Sequence, residues 1–333
     1  MIMIQKSTRT HFLVFLGLHN LLRMKFGWYY KWHLFRCANL VHMGILAIYL
    51  LAISFYLAMP LMVHAEIHSC YWVGDSDDAT WSDASHWSSS SGGAESTCNG
   101  GANIPGAETN VIFNNGSVYT SNIDTNFSVN NVTVSADYIG TITQAANLTT
   151  TSNVSLSGGT WNVGTYDLDT GSGHLTIGAV VNIGNSAANG IQTTNLTINS
   201  SGSLIASGDA KINLSGSWTN SGTFAASTST VLFDIDINNG VKKLFTNGAA
   251  DSKSFYNLSK QGTGELMLAG SLKTNGLFSL SNGTFISSPQ EITANSFSQT
   301  GGTFYAGTSS ISLNTFSLSS GDYHADTSIL TIN

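Results

Sequence analysis

The chain has 333 residues, a formal net charge of −7 and only 9% charged residues. An average soluble domain carries about a quarter charged residues, so ion pairs cannot be what organises this surface. The charges are also segregated, because six basic residues precede one long apolar run and all nineteen acids follow it. A basic flank, an apolar run and an acidic remainder are typical of an exported protein.

The stretch between residues 38 and 65 carries no charged residue and predicts a targeting segment. Its apolar centre, from Gly44 to Leu57, is followed by Pro60 and by Val63-His64-Ala65, which fits the small-residue pattern of a cleavage site. We interpret residues 1–65 as a secretory signal peptide. The alternative is an uncleaved signal anchor, since an uncharged stretch of this length can span a bilayer as a transmembrane helix. Both interpretations predict a secreted or cell-surface protein that contacts the membrane only through its N-terminal segment.

The part after residue 65 is acidic and contains two of the three cysteines. It has six lysines, no arginine and nineteen acids, which gives a formal charge of −13. Nucleic acid is excluded as a partner, because no basic patch is available to neutralise phosphates. Cys70 and Cys98 form an even pair in an oxidising compartment and predict a disulfide, with two unpaired thiols as the alternative.

A repeat of nineteen residues marks the C-terminal part of the chain. Phe278, Phe297 and Phe316 each begin a Phe-Ser pair, and a glycine and then an aromatic residue follow each pair at fixed distances. Ile292 and Ile311 form a further column in the same register. A period near twenty residues with alternating apolar and polar positions predicts a solenoid in which each coil is one rung. We therefore expect these five side chains to belong to the repeat core.

Earlier segments carry similar phrases at less regular spacing, so the prediction extends over most of the chain. The segment Val154 to Trp161 overlays the segment Phe278 to Phe285 position for position. Residues that form helices poorly, and the lack of a 3.6-residue apolar period, argue against a helical fold. We predict an all-β protein, with β-solenoid rungs of about nineteen residues over 136–333 and a small Trp-rich capping module over 66–135.

The last predicted strand ends at Asn333 without a visible capping element, although solenoids normally have one at each end. This favours either a longer polypeptide or self-association through the solenoid ends. A further rung, from the same chain or from another copy, would cover the last strand in the same way.

The segment after residue 70 resembles a known class of proteins. The run Ala79-Thr-Trp81-Ser-Asp83-Ala-Ser-His-Trp87, followed by Ile104-Pro105-Gly106-Ala-Glu-Thr-Asn110-Val-Ile-Phe113, resembles the entry module of large bacterial surface proteins and autotransporter-like passengers, and G8-type modules. The segment from Tyr138 to Trp161 resembles the first coils of the same proteins. The resemblance implies a right-handed parallel β-helix behind a capping segment, and it transfers no catalytic residue. Asn110 stands where those families have an acid, which weakens a metal role at that position.

The tryptophans of the predicted capping module have two interpretations. Trp72, Trp81 and Trp87 are close in sequence, and large rings can cover the open end of a first coil. An exposed indole ring can instead stack on a sugar ring, because one face of the sugar is apolar. The three residues are therefore candidates both for the core and for carbohydrate binding.

Four acids in the same module are a calcium candidate. Asp75, Asp77, Asp78 and Asp83 lie within nine residues, and carboxylate oxygens are the ligands that Ca²⁺ prefers in an extracellular fluid. The alternative is a solvated acidic turn. No other cofactor is expected.

Parallel β-helices also host lyases and hydrolases of polysaccharides, so an enzyme has to be considered. Such lyases use an Arg or Lys base beside acidic metal ligands, yet no Arg follows residue 65 and the first Lys there is Lys211. The hydrolases use paired carboxylates, and the closest acids of the solenoid are Asp167 with Asp169 and Asp234 with Asp236. We predict a non-enzymatic, adhesin-like structural protein that binds carbohydrate or neighbouring cells. The alternative is a carbohydrate-active β-helix enzyme, or its binding portion.

Overall fold

A computed structural model describes residues 67–77, 79–98, 103–185 and 190–333 of the chain. The residues from Ala65 to Asn333 form one compact unit. The predicted signal peptide or signal anchor lies outside the described residues. Within the described ranges, no helix is long and apolar enough to cross a bilayer.

The described residues fold as an all-β parallel solenoid of about ten turns, whose strands belong to three sheets. The first sheet has 13 strands: β1 His68–Trp72, β3 Trp87–Ser88, β4 Thr109–Phe113, β7 Asn131–Val134, β10 Val154–Leu156, β13 His174–Ile177, β16 Asn195–Ile198, β19 Trp218–Asn220, β22 Lys242–Phe245, β24 Glu265–Leu268, β26 Thr284–Ile286, β28 Thr303–Tyr305 and β30 Asp322–His324. The second has 7: β2 Ala79–Thr80, β5 Ser121–Ile123, β8 Thr141–Gln144, β11 Thr160–Gly164, β14 Val180–Ile183, β17 Ser203–Ala206 and β20 Thr223–Ala225. The third has 11: β6 Phe127–Val129, β9 Leu148–Thr150, β12 Leu168–Asp169, β15 Ile191–Thr193, β18 Lys211–Leu214, β21 Thr230–Asp234, β23 Asn257–Gln261, β25 Leu272–Leu280, β27 Ile292–Gln299, β29 Ser310–Leu318 and β31 Ile329–Ile332. Short 3-10 turns occur at Ala84–His86, Ile237–Asn239 and Asp251–Lys253.

Alternation of side chains along each strand explains why these segments form a solenoid. In β13, Leu175 and Ile177 are buried while Thr176 between them is half-exposed. In the next coil, Leu196 pairs with Leu175 and Ile198 pairs with Ile177, so equivalent side chains lie above each other. Because successive residues of a strand point to opposite faces, one apolar column fills the interior and polar columns line the surface.

The predicted period of nineteen residues recurs in consecutive coils only near the C-terminal end. Phe278 pairs with Phe297, and Phe297 pairs with Phe316, each nineteen residues further along the chain. In earlier coils the step varies, for example from 19 residues between Lys211 and Thr230 to 21 residues between Leu175 and Leu196. The longer steps arise because the corners between strands differ in length while the strands stay in register.

The repeat-core residues lie inside the solenoid, with one difference. Phe278, Phe297, Ile292 and Ile311 are buried, and their columns continue from coil to coil. Phe316 is only half-buried. The physical reason is the pairing of β31, which joins only the first half of β29 and leaves the second half without a strand above it.

The solenoid begins earlier in the chain than the predicted boundary at residue 136. Strands β1 and β4 already pair in parallel, as do β4 and β7, so the described residues before 136 contribute coils to the same ladders. Only β3 differs, because it pairs with β1 in the antiparallel direction. The nineteen-residue register does not reach this region, and the sequence pattern therefore missed the first coils. The right-handed winding implied by the resemblance stays a prediction.

The two overlaid phrases lie on different faces of the solenoid. Val154 to Leu156 belongs to the first sheet, whereas Phe278 to Leu280 belongs to the third. What the phrases share is the corner that follows, where Gly159 and Gly283 have φ values of 64° and 69°. Glycine adopts such angles more readily than residues that carry a side chain. The common sequence therefore specifies a type of corner and not a fixed place in the coil.

Replacing Phe297 by Asp tests the interior column. Its ring packs against Phe278, Phe304 and Phe316 at centroid distances of 5.1, 5.3 and 5.6 Å. An unpaired carboxylate at this place lowers the free energy of unfolding by about 4 kcal/mol or more. The variant loses the ring contacts of Phe297, and the buried carboxylate loses its hydration. Urea unfolding monitored by circular dichroism measures the effect. Phe316→Asp is the matched control with a smaller expected loss, and an unchanged midpoint for Phe297→Asp would contradict the packing.

Candidate functional site

A cleft of about 240 Å³ opens on the outer face of the third sheet. Strands β12, β15, β18 and β21 form its floor, and its lining combines carboxylates, amides and hydroxyls. The lining residues are Asp169, Gly171, Gln192, Thr193, Asn213, Leu214, Ser215, Leu232 and Asp234. This volume lies just below the range of about 300–1,000 Å³ that is usual for small-molecule sites.

The strand register places the polar side chains of the cleft in one row. Asp169 pairs with Gln192, Gln192 pairs with Asn213, and Asn213 pairs with Leu232. Neighbouring strands lie about 4.8 Å apart, so the row is about 14 Å long in the direction of the solenoid axis. Asp234 follows Leu232 by two residues and therefore lies on the same face of β21. The cleft thus carries a carboxylate at each end and amide groups between them.

Hydrogen bonds fix the floor and one end of the cleft. The Asp169 Oδ1 atom accepts from the backbone N–H of Gly171 at 2.7 Å. The buried hydroxyl of Thr193 accepts from Thr170 at 2.8 Å and donates to the carbonyl of Asn195 at 3.0 Å. The solenoid itself therefore holds Asp169 and Thr193 in place before any ligand arrives.

A buried lysine lies near the Asp234 end. Lys260 occupies an inward position of β23, where its neighbours in the column are Phe233 and Leu280. Its ammonium group donates to the carbonyls of Gln261 at 2.7 Å, of Gly262 at 3.0 Å and of Asn282 at 3.3 Å. Burial lowers the pKa of Lys260 to about 8, and the negative charge of Asp234 offsets part of this shift.

The arrangement suits hydrogen bonding better than hydrolysis. Amides, hydroxyls and carboxylates together offer donors and acceptors for a polyhydroxylated ligand. The carboxylates of Asp169 and Asp234 belong to strands that are about 14 Å apart along the axis. Retaining and inverting glycosidases need carboxyl groups about 5 and about 6.5–9.5 Å apart, so these two acids are too distant for either geometry.

The three tryptophans lie in the interior and not at a binding surface. Trp72, Trp81 and Trp87 are fully buried, and the Trp72 and Trp81 rings each pack on Trp87 at centroid distances of 5.2 and 5.3 Å. The Trp87 Nε1 atom donates to the carbonyl of Trp81 at 2.9 Å. The prediction of sugar stacking is wrong for these residues, because none of them exposes an indole face.

The predicted disulfide between Cys70 and Cys98 is confirmed. Both cysteines are buried, and their Cα atoms are 5.1 Å apart, within the range that a disulfide requires. The bond links β1 to the segment that follows β3. It therefore closes a covalent loop around the aromatic cluster of the first coils.

The four acids of the calcium candidate do not converge on one point among the described residues. The Asp83 Oδ1 atom accepts from the backbone N–H of Ser85 at 2.9 Å and from its hydroxyl at 2.7 Å, and these bonds lower the pKa of Asp83. Asp77 accepts from the Thr120 hydroxyl at 3.3 Å. Asp78 lies outside the described ranges. In those ranges no group of three or more His, Cys, Asp or Glu side chains has metal-binding geometry, and Asp75 and its neighbours stay a calcium prediction only.

The acid pairs singled out in the sequence are split by the fold. The Asp167 Oδ1 atom accepts from the backbone N–H of Gly190 at 3.0 Å, which gives Asp167 a structural role at a corner. Asp169 and Asp234 instead line opposite ends of the cleft, and Asp236 is not part of its lining. Sequence reasoning missed Gln192 and Asn213. Their signal was a polar residue recurring every 21 to 23 positions beside a buried one.

Comparison with protein-family models, with curated proteins and with solved structures gave no match in any of the three. The resemblance to surface-protein entry modules and to G8-type modules therefore stays a prediction.

Reduction of the disulfide tests how much it stabilises the first coils. The bond joins residues 28 positions apart, and closing such a loop raises the free energy of unfolding by about 3–4 kcal/mol through the entropy of the unfolded chain. Peptide mass mapping without reductant should show Cys70 joined to Cys98. The double variant Cys70→Ser/Cys98→Ser should unfold at a lower denaturant concentration than the oxidised protein. Adding reductant should not change its unfolding midpoint. Equal midpoints for both proteins would contradict a stabilising role.

The pH dependence of stability tests the burial of Lys260. A pKa of about 8 in the folded state, against about 10.5 when unfolded, means that the unfolded chain holds more protons between these values. Stability therefore rises with pH in that window and is flat with respect to this group below it. From pH 7.5 to 9.5 the protein should gain about 1–2 kcal/mol relative to Lys260→Met, measured by denaturant unfolding.

Burial also raises the pKa of Tyr138, which gives the opposite slope at higher pH, but Tyr138 is present in both proteins and its effect cancels in the difference. The pKa of Lys253 is also lowered by burial, but Lys253 is present in both proteins, so its effect cancels in the difference. Parallel pH profiles for the two proteins would show that Lys260 is not desolvated.

Proposed function

We propose that the chain is a secreted or cell-surface structural protein of the adhesin type, which binds carbohydrate through the cleft on the third sheet. The observation that carries this proposal is the row of Asp169, Gln192 and Asn213, together with Asp234, on a fixed β-sheet surface. Export is supported by the targeting pattern of residues 1–65 and by the buried disulfide, since disulfides persist in oxidising compartments. The resemblance to bacterial surface proteins supports the same location.

Rigidity supports recognition of a sugar at this site. A sugar forms many weak hydrogen bonds with its binding site. If the side chains of the site became ordered only on binding, the loss of conformational entropy would offset much of the binding free energy from these bonds. Here the polar groups stand on strands that are bonded to neighbours on both sides. The site is pre-organised, so each hydrogen bond contributes more fully to affinity.

The charge of the cleft indicates which class of sugar can bind there. Asp169 and Asp234 are acidic, Lys260 is buried, and no basic side chain belongs to the lining. Lys211 lies two residues before Asn213 on β18, outside the lining. Because like charges repel, uronic acids and sulfated sugars are disfavoured. We therefore propose neutral saccharides as the ligands.

Binding assays on a panel of oligosaccharides test the proposal. Neutral glucans, mannans and chito-oligosaccharides are compared with anionic pectin and alginate fragments by calorimetry on the chain from residue 66. Asn213→Ala and Asp234→Ala should each weaken binding of the neutral ligand about tenfold, since each removes a hydrogen-bonding group worth about 1.4 kcal/mol. Thr176→Ala, on the outer face of the first sheet, is the control and should bind normally. Equal affinity of the cleft variants and the control would sink the proposal.

A carbohydrate-active enzyme is the second candidate. The presence of both acids in one cleft favours it, and their separation, which is too large for either glycosidase geometry, argues against it. It predicts shortened chains after incubation, and loss of cleavage in Asp169→Asn and Asp234→Asn alike. Mass spectrometry of the sugar after incubation separates the two functions. Binding with the sugar recovered intact supports the first, and cleavage that requires both acids supports the second.

A further inference from the structure

The row of the cleft continues beyond it along the third sheet. Leu232 pairs with Ser259, and Ser259 pairs with Ser279. Ser279 then pairs with Ser298, and Ser298 pairs with Ser317. We call these four serines the serine track. From Asp169 to Ser317 the row crosses eight strands, a length of about 34 Å at about 4.8 Å per strand.

Hydrogen bonds between coils hold the hydroxyls of this region in place. The Ser279 hydroxyl donates to that of Ser259 at 3.0 Å. In the adjacent column the Thr315 hydroxyl donates to that of Ser296 at 2.8 Å. Leu277, which is 40% exposed, belongs to that same column and adds an apolar contact. The surface thus alternates fixed hydroxyls with a small apolar area, which matches the two kinds of surface on a sugar ring.

The serine track is free of charge over its whole length. Past Asp234, the ionisable Lys, Arg, Asp or Glu side chains in the strands of the third sheet are Lys260 and Lys273. Lys260 is buried, and Lys273 lies on the first half of β25, where its ammonium group pairs with Asp251. A ligand on the track therefore meets no unpaired charge from these strands, as a neutral chain requires.

We infer that the ligand is a linear neutral polysaccharide that lies parallel to the solenoid axis, with one part in the cleft and the rest on the serine track. This inference rests on the proposed function and extends it from a short saccharide to a polymer. A protein partner fits the surface less well, because the cores of protein interfaces are rich in aromatic side chains, Met and Arg, and the track has none. A solvated surface without a ligand is the remaining alternative.

A length series of one linear sugar tests the inference. Cello-oligosaccharides and chito-oligosaccharides are used, with short members that span only the 14 Å cleft and long members that span about 34 Å. Calorimetry on the chain from residue 66 should show a dissociation constant at least tenfold lower for the long members than for the short ones, because the long members form additional contacts on the track. Each variant is first checked for an unchanged unfolding midpoint.

Two double variants test whether the higher affinity of long chains comes from the serine track. Ser279→Arg/Ser298→Arg blocks the track and should abolish the advantage of long chains, while the affinity of short chains stays the same. Thr176→Arg/Thr197→Arg is the matched control, because these residues also pair across adjacent coils but lie on the first sheet. It should preserve both affinities.

The outcomes separate the two proposals. Short chains that bind with the same affinity as long chains, and that still depend on Asp234, would overturn the track and leave the cleft. A length advantage that survives in the Ser279→Arg/Ser298→Arg variant would overturn it as well. The absence of binding at every length, in both sugar series, would overturn the proposed function itself.

Discussion

Register between successive coils is the constraint on which the rest of this structure depends. Each strand obtains its backbone hydrogen bonds from the strand before and the strand after it, so no single coil can satisfy its own polar groups. The same pairing stacks like side chains on each other, as where Leu196 lies on Leu175. A displacement by one residue would turn every apolar side chain of that strand to solvent. Hydrophobic burial and backbone pairing therefore select the same alignment, and the chain reaches it with very few charges.

The corners carry a second ladder that keeps this alignment. The backbone N–H of Asn147 donates to the Asn126 side chain, that of Asp167 donates to the Asn147 side chain, and that of Gly190 donates to the Asp167 side chain, each at 3.0 Å. A short amide or carboxylate can accept from the next coil at a place where strand pairing ends. This explains why a chain rich in Asn, Ser, Thr and Gly is ordered. Its polar residues bond to the neighbouring coil instead of forming a disordered, solvated segment.

The sequence allowed prediction of the fold class more easily than of the coil boundaries. Phe278, Phe297 and Phe316 revealed the repeat because their coils have corners of equal length, so equivalent residues recur at one period. Earlier corners differ by a few residues, and the columns lose their period although the strands still pair. Stacking requires only that the strands of successive coils stay in register, whatever the length of the corners. The coils therefore repeat regularly in space although the spacing of equivalent residues in the sequence varies. The buried tryptophans were ambiguous for another reason, because composition cannot tell an end-covering ring from an exposed one.

The candidate site was hidden because neighbours on a solenoid surface are one coil apart in sequence. Residues at i and i+2 share a face, but the contact that builds a binding row joins Asp169 to Gln192 and Gln192 to Asn213. Searching for close acid pairs therefore selected Asp167, which is used at a corner. Lys260 shows the same limit for the interior, since a lysine is usually exposed, whereas its alternation with Leu258 places it inside. On such a fold, a binding surface is formed by residues from successive coils. The fixed spacing of about 4.8 Å between their strands places separate polar residues side by side in one continuous surface.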